Sequence, residues 1–293
     1  MEFCRFYTDE EILDGNAANE VLVIAISASG GSARIVEILE RANAAGVHSM
    51  LITNNPQSAG AKAAKLVYCV ETPELCNTPG LRSYFASLTE LTALSSFVGV
   101  CKEMQDKASW EKLKQLLVDY VKSYQPCYEK IEDQMFEIAC SWKDFEKFEI
   151  IGDEAEFFSA QFVEEKFIEC ASVHASHVDS EDWCHINFFL REPEKIGTIF
   201  KINAAAPDLD RICESVRVAV AVGRPVLVVT DADCEFAAGA HVCRLPKAPQ
   251  GYEWLMPLMD FGPDSLLAAY CAACADKFFF AGRYDFRTRT WKN

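Results

Sequence analysis

The chain has 293 residues, half of them apolar, which is enough for two domains of roughly 100–200 residues each. Acidic residues outnumber basic ones by 44 to 28, so the formal net charge is −16. This balance argues against nucleic acid as a partner, because phosphate backbones are bound by clustered Lys and Arg. It leaves open a small anionic ligand, which a helix N-terminus can hold with few basic side chains.

The first predicted strand, residues 21–26, runs directly into a polar loop that precedes a helix-patterned segment. Ser and Gly in such a turn offer hydroxyl groups and accessible backbone N–H groups to an anion, which the helix dipole also attracts. Ser32 alone could be an N-cap, but a cap needs no further serines or glycines. The loop therefore predicts a phosphate-type site formed by Ser27, Ala28, Ser29, Gly30 and Ser32.

An internal repeat relates residues 34–53 to residues 211–230, with seven identities in twenty positions at an offset of 177. Each copy has the pattern of a strand, a loop, an amphipathic helix, a glycine C-cap and a strand, which is a βαβ unit. We therefore expect an α/β protein with two parallel-sheet α-β-α domains in tandem, over residues 1–135 and 136–293. The second copy replaces the polar loop with Ala204-Ala205-Ala206-Pro207, so it keeps the scaffold without the anion-binding chemistry.

A helical stretch over about residues 83–145 separates the repeats, and a last buried helix is predicted over 264–283. The second domain opens with a strand, Gly152 and a helix over 148–169, and the first domain has no counterpart of these elements. We expect the first sheet to be one strand short beside the Ser27 loop, with a gap there or cover from a segment such as 1–12. The missing piece indicates an N-terminal truncation or a start assigned at an internal Met.

The segment Ile26-Ser27-Ala28-Ser29-Gly30-Gly31-Ser32 resembles the phosphate loop of the sugar isomerase (SIS) domain, Ile-Ser-x-Ser-Gly-x-Thr. Thr53, Asn54 and Ser58 also fit that family, as does Glu74, which the resemblance implies contacts the substrate. Two such domains in tandem look like the isomerase half of glucosamine-6-phosphate synthase and the fructosamine-6-phosphate deglycases. The resemblance implies a homodimer that binds a phosphorylated sugar or amino sugar and uses no cofactor.

In that family a Lys-x-x-Glu sequence is followed by a His sixteen residues after the Glu, and Lys166, Glu169 and His185 have this spacing. The resemblance implies that Glu169 moves a proton between C1 and C2, that His185 assists ring opening, and that Lys166 contacts the hydroxyls or the open-chain form. Lys292 is the counterpart of a C-terminal Lys that lies over the substrate. The glycine and proline residues that flank this His in the family are absent here.

Structural interpretations of the same residues remain open. Lys166 and Glu169 have the spacing of a solvated helical ion pair. His174 and His177 belong to a predicted strand and should face opposite sides of it, which argues against a shared metal. Asp231 and Asp233 are interpreted as surface turn residues.

The 13 cysteines follow no framework spacing, which predicts reduced thiols in a cytoplasmic protein. The N-terminal residues lack the apolar segment of a signal peptide, and no apolar run approaches the ~20 residues of a membrane span. Two classes of function remain: an enzyme that isomerises or deglycates a phosphorylated sugar, and a non-catalytic SIS protein that senses sugar phosphates.

Overall fold

The computed structural model describes residues 21–73 and 78–280. The chain is an α/β protein with two parallel sheets, of three and five strands, as the βαβ repeat predicts. It divides into two compact units, whose described parts are residues 21–94, without 74–77, and residues 95–280. These units are defined by how compactly the chain packs, whereas the predicted domains are defined by the sequence repeat. The domain boundary at 135/136 therefore stays a prediction.

The first unit contains a three-stranded sheet in the order β1-β2-β3, with all strands parallel. Leu39 of the first helix packs with Ala25 and Leu51 of the sheet, and Ala42 on the same helix is also buried, as the predicted amphipathic pattern requires. The elements are β1 (Leu22–Ile26), α1 (Ala33–Ala44), β2 (His48–Thr53), α2 (Ala59–Ala63) and β3 (Leu66–Cys69).

Helix α3 (Leu81–Cys101) follows, and it begins in the first unit and ends in the second. The expectation that no apolar run approaches the length of a membrane span is wrong: by length and composition this helix could cross a membrane, and it is the single such helix in the described part of the chain. One such helix is weak support for a span, and Arg82 and Glu90 interrupt its apolar sequence. The cytoplasmic location therefore stays a prediction.

The second unit contains a five-stranded parallel sheet in the order β5-β4-β6-β7-β8. Its helices form the predicted long helical stretch, the βα crossovers and the last buried helix. The elements are α4 (Lys107–Ser123), α5 (Tyr128–Trp142), β4 (Lys147–Gly152), α6 (Ala155–Ala171), β5 (His174–Val178), α7 (Ser180–His185), β6 (Ile196–Ile202), α8 (Leu209–Ala221), β7 (Val226–Thr230), β8 (Ala240–Arg244) and α9 (Phe261–Cys274).

Helices cover both faces of this sheet, and strand alternation assigns each side chain to one face. On the first face, Phe148 of β4 stacks on Phe167 of α6 with ring centroids 4.1 Å apart, and α5 and α9 pack beside α6. On the second face, Phe200 of β6 packs against Trp183 of α7 with centroids 5.8 Å apart, and α8 adds Ile212 and Val216. We call these the α6 face and the α8 face.

The two sheets differ where the repeat predicts a difference. Strands β1 and β2 correspond to β6 and β7, but β6 also pairs with β4, which in turn pairs with β5. Within the described residues β1 pairs with β2 alone. Among the described residues the first sheet is therefore two strands shorter than the second, where the sequence predicts a difference of one. The alternative of cover from residues 1–12 concerns residues that lie outside those described.

Candidate functional site

The predicted phosphate loop connects β1 to α1, at the carboxyl end of a parallel strand where open α/β sheets bind ligands. Ser27 Oγ accepts a hydrogen bond from Gly30 N at 3.1 Å, and Ser29 Oγ accepts one from Gly31 N at 3.4 Å. Because both hydroxyl oxygens act as acceptors inside the loop, their O–H groups remain available to donate to a ligand. Ser32 is the N-cap residue of α1, and its side chain makes no capping hydrogen bond.

Gly30 fixes the shape of this loop. Its φ of +60° lies in the left-handed region, and a Cβ at this position would lie 2.2 Å from Ser58 Oγ and 3.0 Å from Thr53 Oγ1. Thr53 Oγ1 donates to Ala28 O at 3.0 Å, and Ser58 Oγ caps α2 by accepting from Ala61 N at 3.1 Å. Thr53 and Ser58, which fit the family pattern, therefore pack against the loop at Gly30, and Thr53 also hydrogen-bonds to it.

The loops of the two repeats differ in what their backbone N–H groups bind. In the first loop the N–H groups of Ala28, Ser29 and Ser32 have no hydrogen-bond partner within the described residues. In the second loop Ala204 N donates to Asp231 Oδ1 at 2.7 Å and Ala205 N donates to Asn203 Oδ1 at 2.9 Å. The N–H groups of the first loop are thus available to an external anion, whereas side chains of the protein already accept hydrogen bonds from those of the second loop.

The interpretation of Asp231 as a surface turn residue is wrong. Its side chain is buried, and its second carboxylate oxygen accepts from Ala248 N at 3.1 Å. A buried carboxylate needs such donors because burial without hydrogen bonds is costly. Asp233 is exposed and pairs with Lys247, as expected for a surface turn.

Lys166 and Glu169 lie together on α6 in the second unit. Lys166 is buried, and its Nζ forms an ion pair with Glu169 Oε2 and lies 4.5 Å from the centroid of the Phe162 ring. The Glu169 side chain keeps 36% of its exposure. The pair is therefore a half-buried carboxylate with a buried ammonium group beside it, which differs from the solvated ion pair of the structural interpretation.

His185 does not join this pair within one copy of the chain. His185 is the last residue of α7 and is well exposed. Its Nε2 lies 3.0 Å from Glu181 Oε1, and the other oxygen of the Glu181 carboxylate forms an ion pair with Arg211. Helix α7 packs on the α8 face of the sheet, whereas α6 with Glu169 packs on the opposite face. A single second unit consequently separates His185 from Glu169 by the thickness of its sheet.

Two further candidate residues, Glu74 and Lys292, lie outside the described residues. His174 and His177 face opposite sides of β5, as predicted: His177 pairs with Glu164 of α6, whereas His174 neighbours Lys147 on the α8 face. Among the described residues no group of three or more His, Cys, Asp or Glu side chains could hold a metal ion.

A buried charged cluster at the carboxyl end of β6 is absent from the sequence predictions. Lys201 Nζ donates to Asp264 Oδ2 at 2.5 Å and to Asp260 O at 2.8 Å, and all three side chains are fully buried. Burial raises the pKa of Glu156 to about 7, an effect to which the charge of Asp260 adds, and burial raises the pKa of Asp260 to about 6. The signal in the sequence was a lysine inside the apolar strand 196–202, opposite two aspartates at the start of the last helix.

The comparisons with known proteins assign the fold. Residues 3–98 match the SIS domain family, and no curated protein matched the sequence significantly. The C-terminal domain of glucosamine-fructose-6-phosphate aminotransferase from Francisella tularensis superposes with a TM-score of 0.80 and 17% identity, over 93% of this chain and 77% of that one. Glucosamine-6-phosphate deaminase from Thermotoga maritima gives 0.62 and 13%, over 88% and 71%. Tagatose-6-phosphate ketose/aldose isomerase from Escherichia coli gives 0.62 and 14%, over 90% and 72%.

The fold is a two-sheet α/β architecture similar to those of the three structures named, and the Ser27 loop follows its first strand. Residues 3–98 match the SIS domain family, and the architecture of the chain resembles the C-terminal domain of glucosamine-fructose-6-phosphate aminotransferase. The three structures named are an aminotransferase, a deaminase and an isomerase with one fold, so the fold by itself does not select the reaction.

Proposed function

We propose that the chain is an enzyme that isomerises or deglycates a phosphorylated ketose or amino sugar by moving a proton between C1 and C2. The observation that carries the proposal is the loop of Ser27, Ser29 and Ser32, in which hydroxyl groups and backbone N–H groups remain open at the start of a helix. Such a loop suits a phosphate dianion, which charge-assisted hydrogen bonds and the helix dipole stabilise together.

In this proposal Glu169 is the base. Proton transfer next to a carbonyl needs a carboxylate with access to the substrate, and the Glu169 carboxylate is partly exposed while its position is fixed by Lys166. Lys166 would bind the sugar hydroxyls or the open-chain carbonyl oxygen once the substrate displaces part of the ion pair. We leave the choice between isomerisation and amine release open, because both reactions begin with the same proton transfer.

His185 would act from a second copy of the chain, since its own copy holds it on the face of the sheet opposite Glu169. We therefore propose a homodimer with the sugar pocket near the subunit boundary, where His185 of each copy completes the site that contains Glu169 of the other copy. As the sugar ring opens, an imidazole can transfer a proton at the ring oxygen near neutral pH.

A sensor that binds sugar phosphate without turnover is the second candidate. The exposed position of His185, held by Glu181 rather than by a catalytic group, favours it. The two candidates separate in one experiment on the wild-type protein. A thermal-shift screen of sugar phosphates identifies a ligand, and NMR then follows exchange of its C1 or C2 proton with deuterated water. Exchange or amine release supports the enzyme, whereas binding without either assigns the sensor function.

A further inference from the structure

Besides the Ser27 loop, the protein has a cavity of about 550 Å³ at the amino ends of β4, β5 and β6, on the α8 face of the five-stranded sheet. We call it the second cavity, the first candidate site being the Ser27 loop. Strand register explains its floor: Lys147 pairs with His174 and Glu149 pairs with Ser176, so all four side chains point to the same face. The volume is in the range of sites that bind small molecules.

The wall of this cavity is apolar and comes from the segment that follows α7. Ile186 and Leu190 are 65% and 47% exposed, and the buried Ile196 closes the cavity at the first residue of β6. Large aliphatic side chains that stay exposed around a concavity are a mark of ligand or partner sites.

The carboxylates of the cavity already have cationic partners. Glu149 is buried, and it accepts hydrogen bonds from Arg224 NH1 at 3.1 Å, Trp183 Nε1 at 2.9 Å and Asn187 Nδ2 at 3.1 Å. Glu192 pairs with Lys195. The negative charges of the lining are thus compensated by the protein itself.

The cations of the cavity form no direct ion pair with the described residues, although the pKa of the exposed Glu192 is lowered by its hydrogen bond to Lys195 and also by the charge of Lys147. Neither Lys147 nor Arg191 forms a salt bridge with a carboxylate in the described part of the chain, although the chain carries a net charge of −16. Two cations without a direct ion pair therefore border a cavity with one apolar wall, where an anion can neutralise their charge.

We propose that this cavity binds a small organic anion with an apolar body, whose phosphate or carboxylate group lies between Lys147 and Arg191. Its apolar part lies against Ile186 and Leu190. The site is separate from Lys166 and Glu169, which lie on the opposite face of the same sheet. It also contacts Ile186, the residue next to His185, so an occupant would restrict the segment that carries His185.

The test is isothermal titration calorimetry with phenyl phosphate, which combines a dianion with an aromatic ring. Inorganic phosphate, which has only the anionic group, and benzyl alcohol, which has only the ring, are titrated for comparison. The titrations use the Ser27→Ala/Ser29→Ala protein, so that binding to the proposed phosphate loop does not contribute. A failure in this background bears on the second cavity alone and leaves the proposed function untouched.

We expect phenyl phosphate to bind more tightly than either half, and its affinity to fall at least tenfold in Lys147→Ala/Arg191→Ala, where two charge-assisted contacts are lost. Leu190→Ala should weaken it severalfold. The matched control is Lys122→Ala/Arg217→Ala, which removes the same charge from exposed positions elsewhere in the second unit. Equal affinity in the two double variants, or no binding of phenyl phosphate at about 10 mM, would overturn the proposal. The four substituted basic residues are exposed, so circular dichroism should show folded protein in each case.

Discussion

The carboxylate of Asp231 lies 2.7 Å from the backbone N of Ala204, within the loop of the second repeat. At the offset of 177, Ala204 corresponds to Ser27 and Asp231 to Asn54. Asn54 instead donates its own N–H to Ala28 O at 3.0 Å and brings no charge to the first loop. In the second loop the Asp231 carboxylate thus accepts a backbone N–H group, whereas the first loop has backbone N–H groups without a partner among the described residues, which can bind a ligand. This difference explains how two copies of one scaffold differ in chemistry.

Replacing Asp231 tests this internal role. Asp231→Ala leaves the N–H groups of Ala204 and Ala248 without their acceptor, and we expect the free energy of unfolding to fall by about 1–3 kcal/mol. Asp231→Asn should cost less, because an amide oxygen can still accept one hydrogen bond. Urea denaturation measures both. The control is Asp233→Ala, an exposed position whose pair with Lys247 should contribute less than about 1 kcal/mol; an equal loss in the two alanine variants contradicts the internal role.

The first loop is tested by binding. In Ser27→Ala/Ser29→Ala two hydroxyl donors disappear, and the affinity for a sugar phosphate should fall at least tenfold, since hydrogen bonds to charged groups contribute about 1.5–3 kcal/mol each. Titration with fructose 6-phosphate and glucosamine 6-phosphate measures the loss. Ser109→Ala, at an exposed position of α4, should bind as wild type does. Unchanged affinity in the double variant would place the phosphate elsewhere.

The proposed base is tested by proton exchange. Glu169→Gln should lower exchange of the C1 or C2 proton by about 10²–10⁴-fold and leave the dissociation constant near that of wild type, because the phosphate contacts are made by another part of the chain. Glu165→Gln, one turn earlier on the same helix, is the control and should retain activity. His185→Asn should slow the reaction of the cyclic sugar more than that of an open-chain analogue. Full activity in Glu169→Gln would remove this residue from the mechanism.

A mixing experiment tests whether the site is shared between copies. Glu169→Gln and His185→Asn chains are unfolded together and refolded as a mixture. If each site combines Glu169 of one copy with His185 of the other, half of the sites in the mixed dimers are intact, and random pairing restores about a quarter of wild-type activity. Activity that stays at the mean of the two single variants, or light scattering that shows a fully active monomer, contradicts the shared site.

The buried cluster of Lys201 predicts a pH dependence of stability. Burial raises the pKa of Glu156 from 4.5 to about 7, so the folded state binds a proton that the unfolded state has released. The stability from this group is therefore full below pH ~4.5, declines as the pH rises to about 7, and stays lost above that. Between pH 5 and pH 8 the Glu156→Gln variant should lose up to about 3 kcal/mol less of its free energy of unfolding than wild type does, because glutamine does not bind or release a proton. Denaturation at both pH values measures it, and Glu137→Gln, an exposed position on α5, should leave the decline unchanged.

Local patterns were sufficient to predict much of the fold. The strand at 21–26, the helices that follow each repeat strand, and the alternation that places His174 and His177 on opposite faces all depend on residues close in sequence. The repeat also predicted a first sheet shorter than the second, because fewer residues precede the first copy of the repeat than the second. Among the described residues the difference is two strands rather than one, because no local pattern indicates that β5 lies outside β4 on the same edge.

The sequence by itself determined the βαβ architecture and the composition of the Ser27 loop, because helix and strand periods and glycine turns are set by neighbouring residues. Only the tertiary structure decided which groups meet across long distances: Asp231 with Ala204, Lys201 with Asp260 and Asp264, and Lys147 with Arg191 around one cavity. It also placed Glu169 and His185, sixteen residues apart, on opposite faces of one sheet. The physical reason is that these contacts depend on the order of strands and on the face each helix covers, and residue spacing along the chain specifies neither.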